Sequence, residues 1–365
     1  LGGVGVTGNL AANSIAEQAD LILGIGTRFT DFTTGSKELY RYPDVQVVTI
    51  NASSFHAAKL GAFPIVGDAK TCLKQLAERL RSKCYHADWG DKIAQAKEAW
   101  KQEMEFLCSQ RYGDDYQPII HARNPRSIDE FIRATGGKIP QTAAIAIIRS
   151  IIDPDAIIVG AAGSLPGDLQ RMWTTDTPDS YHMEYGYSCM GYEIAGALGA
   201  KLACPEREVY AMTGDGSYLM LHSELVTSLQ EGRKINVLLF DNASFGCINN
   251  LQMGNGVGNL ATETRRRDQN GKLGGELMCI NFAAAAAGYG VKTYTAQNEK
   301  ELRAALLDSR QQTISTLIDI KVLPKSMTDG YKSWWHVGVA AVSRSEAGRR
   351  AYREKEAHLQ DARPY

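Results

Sequence analysis

The segment Gly214-Asp215-Gly216-Ser217 follows an apolar run, residues 209–212, and leads into residues of helical character. An acid there, with backbone amides open at a helix start, can face an anion beyond a strand end. Alone, a glycine-flanked aspartate is also an ordinary turn. A second segment narrows the choice. Asp241-Asn242 ends the next apolar run, residues 235–240, 27 positions after Asp215. One turn, one helix and one strand of a right-handed crossover fit that interval, so both side chains should emerge at the same edge of a parallel sheet. A carboxylate and an amide oxygen are hard ligands suited to Mg2+, which keeps few protein ligands and usually bridges to phosphate. Asn242 taken alone reads as a turn former, and the spacing favours the metal. The following Ala243-Ser244-Phe245-Gly246-Cys247 can offer a carbonyl to the metal and amides to a phosphate, with Gly246 permitting close approach.

Such a site needs strands that end side by side, and the chain supplies two alternating series. The first has a helix at 10–19, an apolar run Leu21-Ile22-Leu23-Gly24-Ile25-Gly26, strands at 45–50 and 64–66 and a helix at 70–81. The second runs from a helix at 141–152 through strand 156–159, helix 191–203, strand 209–212, helix 222–231 and strand 235–240. It continues with an alanine-rich helix at 282–287, strand 291–294, helix 299–309 and strand 316–320. The predicted fold class is α/β, with two doubly wound domains built on mainly parallel sheets. Expected boundaries are 1–86 for a first, partial domain, 87–125 for a helical linker containing Gln117-Pro118 and Asn124-Pro125, 126–324 for the second domain and 325–365 for a tail. The tail carries Trp334-Trp335 and a charged helical end at 343–358, expected as a solvated helix or an extension.

Forty basic against forty-one acidic residues leave a net charge of −1, which argues against bulk nucleic acid or an anionic membrane as partner and for a small molecule. Hydrophobic residues at 44% and charged residues at 22% exclude disorder, collagen and coiled coil. Seven cysteines without a C-x-x-C pair suit neither a zinc site nor a disulfide framework, and predict reduced thiols in the cytoplasm. No apolar run reaches the length of a membrane span. The start at Leu1 on a glycine-rich stretch suggests a piece of a longer chain.

The pairing of Gly-Asp-Gly with a downstream asparagine resembles the diphosphate motif of thiamine diphosphate enzymes. The turn Gly24-Ile25-Gly26-Thr27-Arg28-Phe29-Thr30-Asp31 and the strand end Ile65-Val66-Gly67-Asp68-Ala69 resemble the central domain of the acetohydroxyacid synthase-like group. Residues 213–232, the run from Phe240 to Gln252, Asp329-Gly330-Tyr331, Trp334-Trp335 and Val337-Gly338-Val339-Ala340 are similar to a branch of that group acting in inositol breakdown. The resemblance implies hydrolytic carbon–carbon cleavage of a trihydroxy cyclic 1,2-dione to 5-deoxy-glucuronate, with thiamine diphosphate as electron sink and Mg2+ as its anchor. Acetolactate-forming or 2-oxoacid-decarboxylating relatives share the metal motif and stand as the alternative. A cofactor-binding or assembly module without activity of its own is the alternative of another class.

By the same resemblance, Asp215 and Asn242 hold the metal through their side chains and Ser244 through its carbonyl. Gly216, Ser217, Gly246 and Cys247 line the diphosphate, with Gly214 in the same set and Ser164 on the other side. In Tyr185-Gly186-Tyr187-Ser188-Cys189-Met190-Gly191, Met190 props the thiamine into its bent form, while Ser188 O and Met190 N take the aminopyrimidine edge; core filler is the plain alternative for Met190. The activating glutamate of the family belongs to an N-terminal pyrimidine-binding domain, and no residue here takes that role. The chain alone is therefore expected to be inactive. It would act as a homo-oligomer, dimer or tetramer, through the diphosphate domain, or with a separate chain carrying the pyrimidine-binding domain. No flavin is predicted, since Gly24-Ile25-Gly26 is generic.

Tyr181, His182, Glu184, Tyr185 and Tyr187 carry groups suited to a polyol, with His182 a candidate for proton transfer, although tyrosines packing on a neighbouring subunit explain the cluster as well. The glycine-rich stretch 249–277 with Arg265-Arg266-Arg267 reads as a lid or a solvated loop. Trp334-Trp335 reads as a cap on the site, an interface or an anchor for the tail.

Overall fold

Apolar runs of three to six residues become strands, and the segments between them become helices that cover the sheet faces. The computed structural model describes residues 1–120, 126–175 and 177–363. Two units form, one from Leu1–Glu105 with Gly330–Tyr365 and one from Phe106–Asp329.

In the first unit β1 (Leu21–Ile25), β2 (Gln46–Asn51) and β3 (Phe63–Val66) pair in parallel in that order. Asn9 caps the helix Leu10–Gln18 by accepting from the Ala12 amide at 2.8 Å. Asp68 caps Ala69–Ser82 through the Thr71 amide, and that bond holds its carboxyl below the usual range. Phe29, Leu39, Tyr40, Val45, Val47 and Leu60 make the core.

The tail is part of this unit rather than an extension. Its helix Glu346–Asp361 sets His358 Nδ1 2.8 Å from Glu38 Oε1, Trp334 stacks on the His358 ring at 4.0 Å, and the Arg363 amide donates to Lys37 O. Trp335 Nε1 donates to Asp31. These anchors are single aromatic and polar contacts, so no apolar stripe announced them. Of the segment 87–125, the helix Gly90–Ser109 is observed, while Asn124-Pro125 lies outside the described residues.

The second unit holds six parallel strands: β4 (Ile157–Gly160), β5 (Tyr181–Met183), β6 (Val209–Gly214), β7 (Asn236–Asp241), β8 (Lys292–Ala296) and β9 (Thr316–Lys321). Their order is β5-β4-β6-β7-β9-β8. Strands β4, β7 and β9 are buried along their whole length, which is why β4 and the middle of β7 read as continuous apolar runs. Val209, Ala211, Val237 and Leu239 pack on Ile194 and Phe282 from the covering helices. The edge strand β5 and the helices Arg126–Thr135 and Ser164–Met172 were not foreseen, the first because three residues give no period. No helix among the described residues is long and apolar enough to cross a membrane.

Candidate functional site

The register fixes where the chemistry sits. Gly214 at the end of β6 pairs with Phe240, and β7 ends one residue later at Asp241, so Asp215 and Asn242 both step off adjacent parallel strands at one sheet edge. They are 4% and 6% exposed. The backbone amides of Gly216 and Ser244, one from each turn, favour the charged form of the Asp215 carboxyl. Burial, and then the charge of Asp241, nevertheless push the Asp215 carboxyl well above its ordinary range. A buried acid in that state lacks a counter-cation, and the donor set around it suits a divalent metal.

Asn242 Oδ1 accepts from the Ser244 amide at 3.0 Å and from Ser244 Oγ at 2.8 Å, while Asp241 Oδ1 accepts from the Ala243 amide at 2.9 Å. The turn former and the candidate ligand are thus one residue. A Cβ on Gly246 would lie 3.2 Å from Asn242 Nδ2 and 3.3 Å from Ser164 Oγ, so Ser164, Asn242 and Gly246 converge. Cys247 follows in the helix Gly246–Gly254, its thiol pushed up by burial. A cavity beside the turn is lined by Asn242, Ser244, Gly246, Asn249, Glu263 and Lys325. Among the described residues no group of three or more His, Cys, Asp or Glu is placed to hold a metal. The candidate set has one carboxylate, one amide oxygen and one carbonyl, which is a hard-cation set and not a zinc set.

The glycines of the motif differ in their task. A Cβ on Gly216 would meet the Phe245 ring at 2.4 Å, whereas one on Gly214 meets nothing within 4 Å. Gly216→Ala is expected to cost about 1–3 kcal/mol of stability and Gly214→Ala less than about 1 kcal/mol, measured by chemical denaturation of both variants.

The Ser217 hydroxyl is engaged inside the fold. Its Oγ donates to Glu193 Oε1 at 2.7 Å and accepts from the Gly191 amide at 2.7 Å. Before Gly191, the Glu184 carboxylate accepts from the amides of Cys189 (2.6 Å) and Tyr187 (2.9 Å), bonds that hold it below the usual range. Glu184 therefore shapes the loop that carries Ser188, at φ +64°, and the half-buried Met190. The expected polar cluster divides: Tyr181 and Tyr185 have buried hydroxyls, while His182 on β5 is exposed and Tyr187 is 88% exposed. The stretch 249–277 begins inside the helix Gly246–Gly254, and Arg265 is a buried anchor paired with Glu130 and Glu263 rather than a lid residue.

Sequence reasoning missed a buried charge cluster behind the Asp241-Asn242 turn. Lys321 Nζ lies 2.5 Å from Asp241 Oδ2 and 2.9 Å from Asp319 Oδ2. Asp319-Ile320-Lys321 closing an otherwise apolar strand was the available signal.

Residues 161–320 match the family described as "Thiamine pyrophosphate enzyme, C-terminal TPP binding domain", and residues 1–76 match the central domain of the same enzymes. Among curated proteins the chain is 61% identical over 366 residues to "3D-(3,5/4)-trihydroxycyclohexane-1,2-dione hydrolase" of Clostridium botulinum (strain Eklund 17B / Type B). It is 60% identical over 365 residues to the protein of that name from Clostridium perfringens (strain ATCC 13124), and 59% identical over 367 residues to the one from Bacillus thuringiensis (strain Al Hakam). Each similarity covers all of this chain and 57% of the relative.

Proposed function

From a chain that belongs to the thiamine pyrophosphate enzymes, we propose hydrolytic carbon–carbon cleavage of a trihydroxycyclohexane-1,2-dione, to 5-deoxy-glucuronate in inositol degradation. Asp215 and Asn242 leaving adjacent strands at one edge carries this reading, because it puts an uncompensated acid and an amide oxygen beside one glycine-floored turn. Asp215, Asn242 and the Ser244 carbonyl would hold Mg2+. Ser164, Gly214, Gly216, Gly246 and Cys247 would border the diphosphate, and Ser217 would set the first turn from behind. When bound, thiamine diphosphate supplies an electron sink for the carbon that loses its neighbour.

The chain's own part is to bind and orient. Glu184 folds the loop so that Ser188 and Met190 present backbone atoms to the aminopyrimidine, and Met190 offers the apolar prop. We assign the activating base to no residue of this chain, and His182 remains the candidate for proton transfer. Exposed Tyr187, Tyr192, Leu219, Met220 and Leu221 around that loop support a partner surface, either a second copy in a dimer or tetramer or a pyrimidine-binding chain. Seven free cysteines support a cytoplasmic setting.

The test is turnover by this chain joined to a pyrimidine-binding domain, supplied in the same polypeptide or as a separate chain, with Mg2+ and thiamine diphosphate, offering the cyclic dione and pyruvate in parallel. Loss of the dione with release of a carboxylic acid is expected. Loss of pyruvate alone would favour the acetolactate-forming or decarboxylating reading. Cofactor binding with turnover of neither would favour the module without activity.

A further inference from the structure

Glu193 stands in the first turn of the helix Tyr192–Ala203 and is 1% exposed. Its Oε2 accepts from the Gly191 amide at 3.0 Å, and its Oε1 and Oε2 lie 2.7 and 2.9 Å from Ser217 Oγ. Ser217, 2% exposed and two residues after Asp215, takes the Gly191 amide from the other side at 2.7 Å. Gly191 itself has φ +89°, and a Cβ there would lie 3.2 Å from Leu221 Cβ. One backbone amide is therefore held by two buried side chains that arrive from different segments.

These partners are neutral donors, with no cation among the hydrogen bonds to the carboxylate. Burial pushes the Glu193 carboxyl up from its ordinary value, ahead of the bonds from Ser217 and Gly191 that oppose it. An apolar side chain would fill this place at less cost, so the acid is kept for the geometry it imposes.

We infer that Glu193 and Ser217 are positioning residues that lock the Met190-Gly191 turn to the Gly214-Asp215-Gly216 turn, so that the two ends of the cofactor are gripped at a fixed separation. The inference rests on the cofactor reading above. A ligand held at two subsites gains from the second only when their spacing is set before it arrives. Loosening the lock leaves each subsite in place and removes that gain.

The experiment separates the two ends. Calorimetric titration of the full chain uses magnesium pyrophosphate, which addresses the diphosphate end alone, and magnesium thiamine diphosphate, which addresses both. The parent is expected to bind thiamine diphosphate more tightly than pyrophosphate. Glu193→Ala should weaken thiamine diphosphate about tenfold and leave pyrophosphate within about twofold. Glu193→Gln should recover most of the loss, because its amide oxygen can accept from Gly191 while its NH2 donates to Ser217 Oγ.

Equal weakening of both probes in Glu193→Ala, or no weakening of thiamine diphosphate, overturns the inference, as does failure of Glu193→Gln to recover. A parent that binds pyrophosphate but holds thiamine diphosphate no more tightly overturns the inference and leaves the diphosphate site standing. A parent that binds neither probe overturns the cofactor reading and the inference together.

Discussion

Replacing Asp215 by alanine is expected to weaken binding of thiamine diphosphate with Mg2+ about a hundredfold, as loss of a charged contact worth roughly 3 kcal/mol implies. The same change should leave folding stability unaltered or raise it. Asp215 is buried, and its carboxyl is pushed up by burial and by Asp241, so its charged form is a burden on the metal-free fold. Opposite signs in the two measurements distinguish a ligand from a structural residue. Calorimetric titration gives the first and thermal unfolding without metal gives the second. Unchanged affinity in the variant would refute the assignment of Asp215, and a large fall in melting temperature would mean that the carboxylate holds the fold.

Lys321→Met should have the largest effect on stability, a loss of about 3–5 kcal/mol, because it leaves two buried carboxylates without their cation. The sign with pH follows from Asp319, which burial raises to about 6 against the opposing pull of Lys321. A carboxyl raised above its unfolded value favours the folded state when protonated and weighs against it once ionised. Without Lys321 the acid rises further, so the penalty should be smaller near pH 5 than near pH 8. Urea denaturation at the two values checks this. A penalty that does not change with pH would show that lost packing of the lysine stem, not charge, dominates.

The central strands were legible because they are buried on both faces. The runs 209–212 and 235–240, set in an alternating series, fit strands of a covered parallel sheet, and their ends located Asp215 and Asn242. Pairing by register is regular, so an interval of 27 residues was enough to place both side chains at one edge. What stayed hidden depends on single long-range contacts. Asp319-Ile320-Lys321 hints at a charged strand end, but that Lys321 meets Asp241 as well shows only once β9 is seen beside β7. Ser217 was expected at the diphosphate, and nothing local shows that Glu193, 24 residues earlier, claims its hydroxyl. The Tyr181 to Tyr187 cluster divided because the Tyr181 and Tyr185 hydroxyls turn inward while His182 and Tyr187 face out, and a three-residue strand has no period to betray it. In the tail the charged helix was legible, whereas the contacts of Trp334 with His358 and of Arg363 with Lys37 are isolated anchors that no pattern announces.

The backbone leaves the first unit at Glu105 and rejoins it at Gly330. The second unit is thus an insertion whose two ends are tethered whenever the first is folded. When it unfolds under that condition it becomes a closed loop of roughly 220 residues, and ring closure removes about 5 kcal/mol of configurational freedom from its denatured ensemble. The sheet that carries Asp215 and Asn242 therefore draws part of its stability from connectivity alone, independently of any contact made inside it.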